Sequence, residues 1–180
     1  MFFDTETTGK ANMKLPASHP TQPRLVQLAC ILADGSDEVA VLSCIVKPSG
    51  FEIPLEASNI HGITTEIATS QGVALESALA LFSELAALTE QYVAHNIGFD
   101  LLVMIRELGN WQVRPTFCTM EAMTPICELL GPYGFEWPRL SEAYEHAFHE
   151  PLVGAHDALA DVRACKRLYD WLQSRQEVAP

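Results

Sequence analysis

Asp4-Thr5-Glu6-Thr7-Thr8-Gly9 follows the apolar Met1-Phe2-Phe3 and places two carboxylates one residue apart where a strand should end. Side chains alternate faces along a strand, so Asp4 and Glu6 share one face and Thr5 turns back toward the protein. Two carboxylates side by side repel one another unless a cation lies on them. Hard divalent ions such as Mg²⁺ or Mn²⁺ are the cations that carboxylate oxygens select. Taken alone, the stretch also fits a plain acidic turn, and segments downstream decide between the two readings.

His95-Asn96-Ile97-Gly98-Phe99-Asp100 follows the short apolar run Tyr92-Val93-Ala94 and precedes Leu101 to Ile105, which puts Asp100 near the start of a helix. Local pattern leaves Asp100 either a ligand or simply an acid favoured by the helix dipole. His156-Asp157-Ala158-Leu159-Ala160-Asp161 then opens an apolar-periodic segment reaching about Leu172. Asp157, beside the Gly154-Ala155 break, is the better N-cap. Asp161, one turn inside, is held more rigidly and is the better ligand. The two form a like-charged i, i+4 pair, mildly unfavourable on a bare helix, a cost that a metal on Asp161 removes.

In this order, D-T-E-T-T-G at Asp4–Gly9, H-N-x-G-F-D at His95–Asp100 and H-x4-D at His156–Asp161 resemble the DEDDh family of 3′-to-5′ exonucleases, which includes polymerase proofreading subunits. The resemblance runs from Met1 to about Leu172. A sister group carries tyrosine four residues before the last acid; here that residue is Asp157, so the histidine form is indicated. The resemblance implies an α/β, ribonuclease H-like fold with a mixed central sheet flanked by helices. It also implies two Mg²⁺, with Mn²⁺ able to substitute: Asp4 bridging both, Glu6 and Asp161 completing one, and Asp100 acting on the other directly or through water. His156 is the implied catalytic base, since imidazole titrates near neutrality. Thr7, His61, Asn96 and Phe99 are implied at the substrate, His61 within Ile60-His61-Gly62-Ile63-Thr64. The chain departs from the family pattern in its first strand, Met1 to about Thr5, which is short.

Composition narrows the class further. With 180 residues, 48% apolar and 19% charged, the chain fits one globular domain with a filled core. The expectation is a single exonuclease domain over 1–180, with a mobile loop at 10–24 and a frayed tail at 174–180. No run approaches the roughly 18 apolar residues of a membrane span, and Phe2-Phe3 is far short of a signal peptide. A cytoplasmic protein that does not meet membrane is expected. Cys30, Cys44, Cys118, Cys127 and Cys165 contain no C-x-x-C pair, which argues against a disulfide framework or a zinc knuckle and for packing in a reduced protein.

Charge sets the harder constraint. The 23 acids against 11 bases give a net charge of −12, which argues against long phosphate contact along a duplex. Recognition of one strand end is expected instead, with metals supplying phosphate affinity, or delivery by a partner such as a DNA polymerase. The expected activity is metal-dependent 3′-to-5′ hydrolysis of single-stranded or unpaired DNA ends, releasing nucleoside 5′-monophosphates. RNA trimming is the alternative within the family. A non-catalytic nucleic-acid-binding or polymerase-associated module is the alternative outside it, and the intact acids and His156 argue against that.

Between the motifs, Leu25–Ala33 and Glu38–Val46 read as a hairpin around Asp34-Gly35-Ser36. Ile60–Thr64 reads as loop before a short helix ending near Gly72. Leu75, Ala78, Leu79, Phe82, Leu85, Ala86 and Leu88 mark the core face of a helix. A further helix is expected over about 98–109, stopped at Gly109-Asn110, then a brief strand at Arg114–Cys118 and a helix over Thr119–Leu130. Gly131–Pro138 reads as a turn-rich loop whose Tyr133, Phe135 and Trp137 either pin it to the surface or stack on bases. A short helix from Ser141 toward Phe148 precedes the last motif.

Overall fold

The computed structural model describes residues 1–109 and 111–176. Asn110 of the expected helix stop and residues 177–180 of the expected frayed tail lie outside the described residues. Strands β1 (Phe2–Thr7), β2 (Leu25–Asp34), β3 (Asp37–Ile45), β4 (Tyr92–Ala94) and β5 (Thr116–Cys118) form one sheet in the order β3-β2-β1-β4-β5. The first three strands are antiparallel, and β4 and β5 run parallel to β1. The sheet is therefore mixed, as expected. β1 runs to Thr7 rather than ending near Thr5, because Thr7 still pairs with Leu25 across a register shift after Glu6.

Among the described residues seven helices accompany this sheet: α1 (Leu55–His61), α2 (Thr65–Gln71), α3 (Leu75–Ala87), α4 (Ile97–Leu108), α5 (Thr119–Cys127), α6 (Leu140–Phe148) and α7 (Ala158–Gln176). Strand alternation assigns the two faces. Phe3, Leu28 and Cys30 point to one core with Ala78 and Phe82 of α3 and Val103 and Met104 of α4. There Phe3 meets Phe82, Tyr92 and Trp111 edge to face, at ring separations of 5.7, 5.8 and 6.4 Å. Phe2, Ala29, Ile31 and Val93 point the other way, against Ala158, Val162 and Cys165 of α7.

Three expectations are corrected. Ile60 and His61 belong to α1, so only Gly62–Thr64 is loop; the helix is capped by Gly62 at φ 77°, and its Ala57 packs with Val26 and Ile63. α5 ends at Cys127 rather than Leu130, where Glu128 turns left-handed at φ 50°. Gly131–Pro138 is not plain loop. It contains β7 (Gly134–Phe135), which pairs with β6 (Leu130–Gly131) in a small separate hairpin. The core face of α3 is as expected except Leu88, which is exposed.

The 10–24 segment carries its own hydrogen-bond network. The Gln22 amide donates to the Asn12 and Leu15 carbonyls at 2.8 and 3.1 Å and accepts from Asn12 N. Arg106 of α4 donates to His19 O at 2.7 Å, and Arg24 closes the segment with paired bonds to Glu107 at 2.8 and 3.2 Å. No disulfide links the five cysteines; Cys30 and Cys165 are buried, and burial pushes both thiols up. Among the described residues no helix is long and apolar enough to cross a membrane.

Candidate active site

β1 and β4 run parallel and end on the same side of the sheet, where α4 begins; the N-terminus of α7 meets them there. Ends of parallel strands are where open α/β sheets place their sites. Asp4 pairs with Ala29 and Glu6 with Gln27, so both acids lie on the face that α7 covers. Asp100, in the first turn of α4, arrives from the other side and is 2% exposed. Thr5 holds it: the Thr5 backbone amide and hydroxyl donate to Asp100 Oδ1 at 3.0 and 2.8 Å.

The α7 start is built with equal care. Asp157 caps the helix as expected, its Oδ1 accepting from Ala160 N at 3.1 Å. His156 turns left-handed at φ 70°, which lets its backbone amide donate to Asp161 Oδ2 at 3.0 Å. The other oxygen, Asp161 Oδ1, is buried without a partner. Gln27 of β2 clasps the turn from the sheet: its Oε1 accepts from Ala158 N and its Nε2 donates to Asp157 Oδ2, both at 3.3 Å.

These residues open onto a cleft of about 850 Å³, a size that suits a small organic ligand. Asp4, Glu6, Asn96, Phe99, Asp100, His156 and Asp161 all line it, together with Lys10, Trp137 and Arg139. Thr7 and His61 do not. The Thr7 hydroxyl donates to Gly9 O at 2.8 Å within the turn after β1. His61 Nδ1 accepts from Ile63 N at 3.1 Å, and its buried Nε2 has no partner. Burial lowers the His61 pKa, the Thr7 backbone raises it, and nearby His156 lowers it further.

Desolvation dominates the electrostatics. It raises Asp4 well above the carboxylate range, reinforced by Asp100, Asp161 and Glu6. Glu6 is pushed up to about 8, first by desolvation and then by Asp161 and Asp100. Asp100 rises to about 7 by desolvation, against the Thr5 hydrogen bonds that lower it. Desolvation also raises Asp161, opposed by the His156 amide. Glu6, His156 and Asp161 offer ligand atoms all within 4.8 Å of one another. The clustered hard oxygens, one of them buried and orphaned at Asp161, fit a divalent cation with His156 close beside it.

Three contributors escaped the sequence reading. Thr5 and Gln27 act through hydrogen bonds to residues 95 and 131 positions away, and no local pattern marks such partners. His95 lies inside a motif, yet its task appears only in three dimensions. Its ring bridges the Thr119 hydroxyl at 3.0 Å and the Pro138 carbonyl at 2.9 Å, and burial lowers its pKa. The signal available was its place beside Asn96 at a strand end.

A mixed sheet with carboxylates gathered at the parallel strand ends defines a nuclease-like α/β domain. Residues 1–169 match the exonuclease family (RNase_T), and the chain belongs to that family. Among solved structures it is similar to Escherichia coli Exonuclease I in complex with a dA16 oligonucleotide, at 22% identity and a TM-score of 0.78, covering 98% of this chain and 41% of that one. The zinc-bound form of the E. coli Exonuclease I complex with single-stranded DNA matches at 24% identity and TM-score 0.77, covering 98% and 40%. A moderately thermophilic Exonuclease I from Methylocaldum szegediense matches at 24% and 0.75, again covering 98% and 40%. The chain thus spans about two fifths of the length of these enzymes. No protein of curated function matches it.

Proposed function

We propose that the chain is a metal-dependent 3′-to-5′ exonuclease that removes nucleoside 5′-monophosphates from unpaired DNA ends. The observation that carries this reading is the convergence of Asp4, Glu6, Asp100 and Asp161 in one cleft, where desolvation raises the pKa of all four carboxyl groups. Asp4, Glu6 and Asp161, with Asp100 directly or through water, would hold two Mg²⁺, for which Mn²⁺ can substitute. When bound, such ions relieve charge on the leaving 3′ oxygen and acidify a water.

The chain's own residues do the rest. His156, exposed at the α7 start within reach of Glu6 and Asp161, takes the proton of the attacking water. Asn96 and Phe99 line the cleft next to Asp100 and hold the terminal nucleotide. Thr7 and His61, outside that lining, hold the turn after β1 and the loop after α1 through their own hydrogen bonds. Lys10 and Arg139 are the basic side chains there to meet phosphate.

Exonuclease I structures that hold dA16 and dT13 oligonucleotides support an unpaired DNA strand as substrate. The net charge of −12 supports delivery by a DNA polymerase or another protein, and the free cysteines fit a reducing cytoplasm. The test is end-labelled single-stranded DNA with Mg²⁺, followed by product length. Mononucleotides should appear from the 3′ end, a bulky 3′ block should stop them, and a 5′ block should not. Cutting of a circular single strand would overturn the reading.

A further inference from the structure

The β6–β7 hairpin exposes more apolar surface than its size explains. Leu130 is 88% exposed, Tyr133 102%, Phe135 47% and Trp137 67%. A hairpin with two-residue strands buries nothing of its own, and its aromatics do not pin it down. Its base is fixed instead by polar means: Pro138 is buried, and its carbonyl accepts the His95 Nε2 hydrogen bond from the strand end beside the acids. Trp137, Pro138 and Arg139 are at the same time lining residues of the carboxylate cleft. The exposed rings thus continue outward from the cleft wall.

We propose that this hairpin is a base-stacking platform for the single strand whose 3′ end lies in the cleft. Trp137 takes a base just upstream of the terminal nucleotide, and Phe135 and Tyr133 take bases further out. The occupant follows from charge. Among the described residues Lys10 and Arg139 are the only lysine and arginine lining the cleft, the hairpin itself carries Glu136, and the chain has 11 Lys and Arg against 23 acids. Such a surface offers little charge to grip a phosphate backbone, and the faces of unpaired bases are held instead by stacking, which needs no positive charge. Duplex ends, whose bases are already stacked, gain nothing from it. The direction of the strand rests on the exonuclease reading above; the stacking surface does not.

Two measurements separate these ideas. In EDTA, oligo(dT) should quench the fluorescence of the wild type, and Trp137→Leu should lose that quenching; a blunt duplex should quench little. With Mg²⁺, Tyr133→Ala/Phe135→Ala should raise KM for a dT dodecamer by about 10- to 100-fold. Its rate on the p-nitrophenyl ester of thymidine 5′-phosphate, too short to reach the hairpin, should stay within about two-fold. An unchanged dodecamer KM beside normal ester hydrolysis would overturn the platform and leave the exonuclease standing. Quenching without hydrolysis of either substrate by the wild type would overturn the exonuclease and leave the platform. Equal quenching by duplex, or a wild-type dimer in sedimentation that the double variant dissolves, would assign the rings to something other than an unpaired strand.

Discussion

Glu6 and Asp100 carry a stability cost that is visible in their pKa values. Each binds its proton more tightly in the folded chain, at about 8 and about 7, than in an unfolded one, where about 4.3 and 3.9 are usual. Between those limits the folded state holds more protons, so stability falls as pH rises. The metal-free protein should therefore melt progressively lower from about pH 4 to 8, and Glu6→Gln should flatten that fall. A wild-type melting temperature that rises over this range in EDTA would contradict the assignment. Divalent metal should reverse the trend by binding the folded carboxylates. Asp161→Ala should lose that metal-induced rise along with activity. His156→Ala keeps the backbone amide that holds Asp161 Oδ2, so it should retain the rise while turnover drops about 10²- to 10⁴-fold. Loss of the metal response in His156→Ala would make the imidazole a ligand.

At the scale of elements, the start of α7 is the joint on which the site depends. Asp157 caps it from within and Gln27 clasps it from β2, so the position of His156 and Asp161 relative to Asp4 and Glu6 is set by a side chain of the sheet. Gln27→Leu preserves bulk and removes both bonds while leaving the Ala158 amide unpaired. A cost of about 1–3 kcal/mol is expected, and each kcal/mol lowers the melting temperature by about 2–4 °C in a domain of this size. Because α7 loses its clasp rather than a ligand, turnover should fall while the metal-induced rise survives. Denaturation curves with and without Mg²⁺, beside a nuclease assay, check this; full stability in Gln27→Leu would show that the cap of Asp157 suffices alone.

For the whole molecule, the balance of charge decides how substrate is gripped. Lys10 and Arg139 are the basic side chains lining the cleft, and phosphate contacts on a single strand contribute about −0.7 each to the salt slope. With these contacts alone, log affinity against log KCl in EDTA should fall with a slope of about −1.4. A basic nuclease surface would give a much steeper line. A slope beyond about −4 would place a phosphate track outside the cleft. Lys10→Ala should shallow the line by about 0.7 without changing the preference for unpaired ends.

The sequence alone determined the sheet class and the hairpin turn at Gly35, and its three ordered motifs named the acids of the cleft through their family resemblance. Local rules supplied the rest: strand alternation turns Asp4 and Glu6 to one face, a first helical turn projects Asp100, and capping marks Asp157. Only the tertiary structure decided what pairs at long range. Thr5 finds Asp100, Gln27 finds the α7 start, and His95 ties Pro138 to the site, each through chain-distant partners that no window of sequence contains. The seven-residue α1 leaves no clear sequence signal for a related reason. So short a helix has little stability of its own and exists because Ala57 packs onto Val26 and Ile63. The aromatic hairpin shows the converse: the two-residue pairing of Leu130–Gly131 with Gly134–Phe135 is too brief to leave a periodic pattern in the sequence, and its exposure depends on what the rest of the fold leaves uncovered.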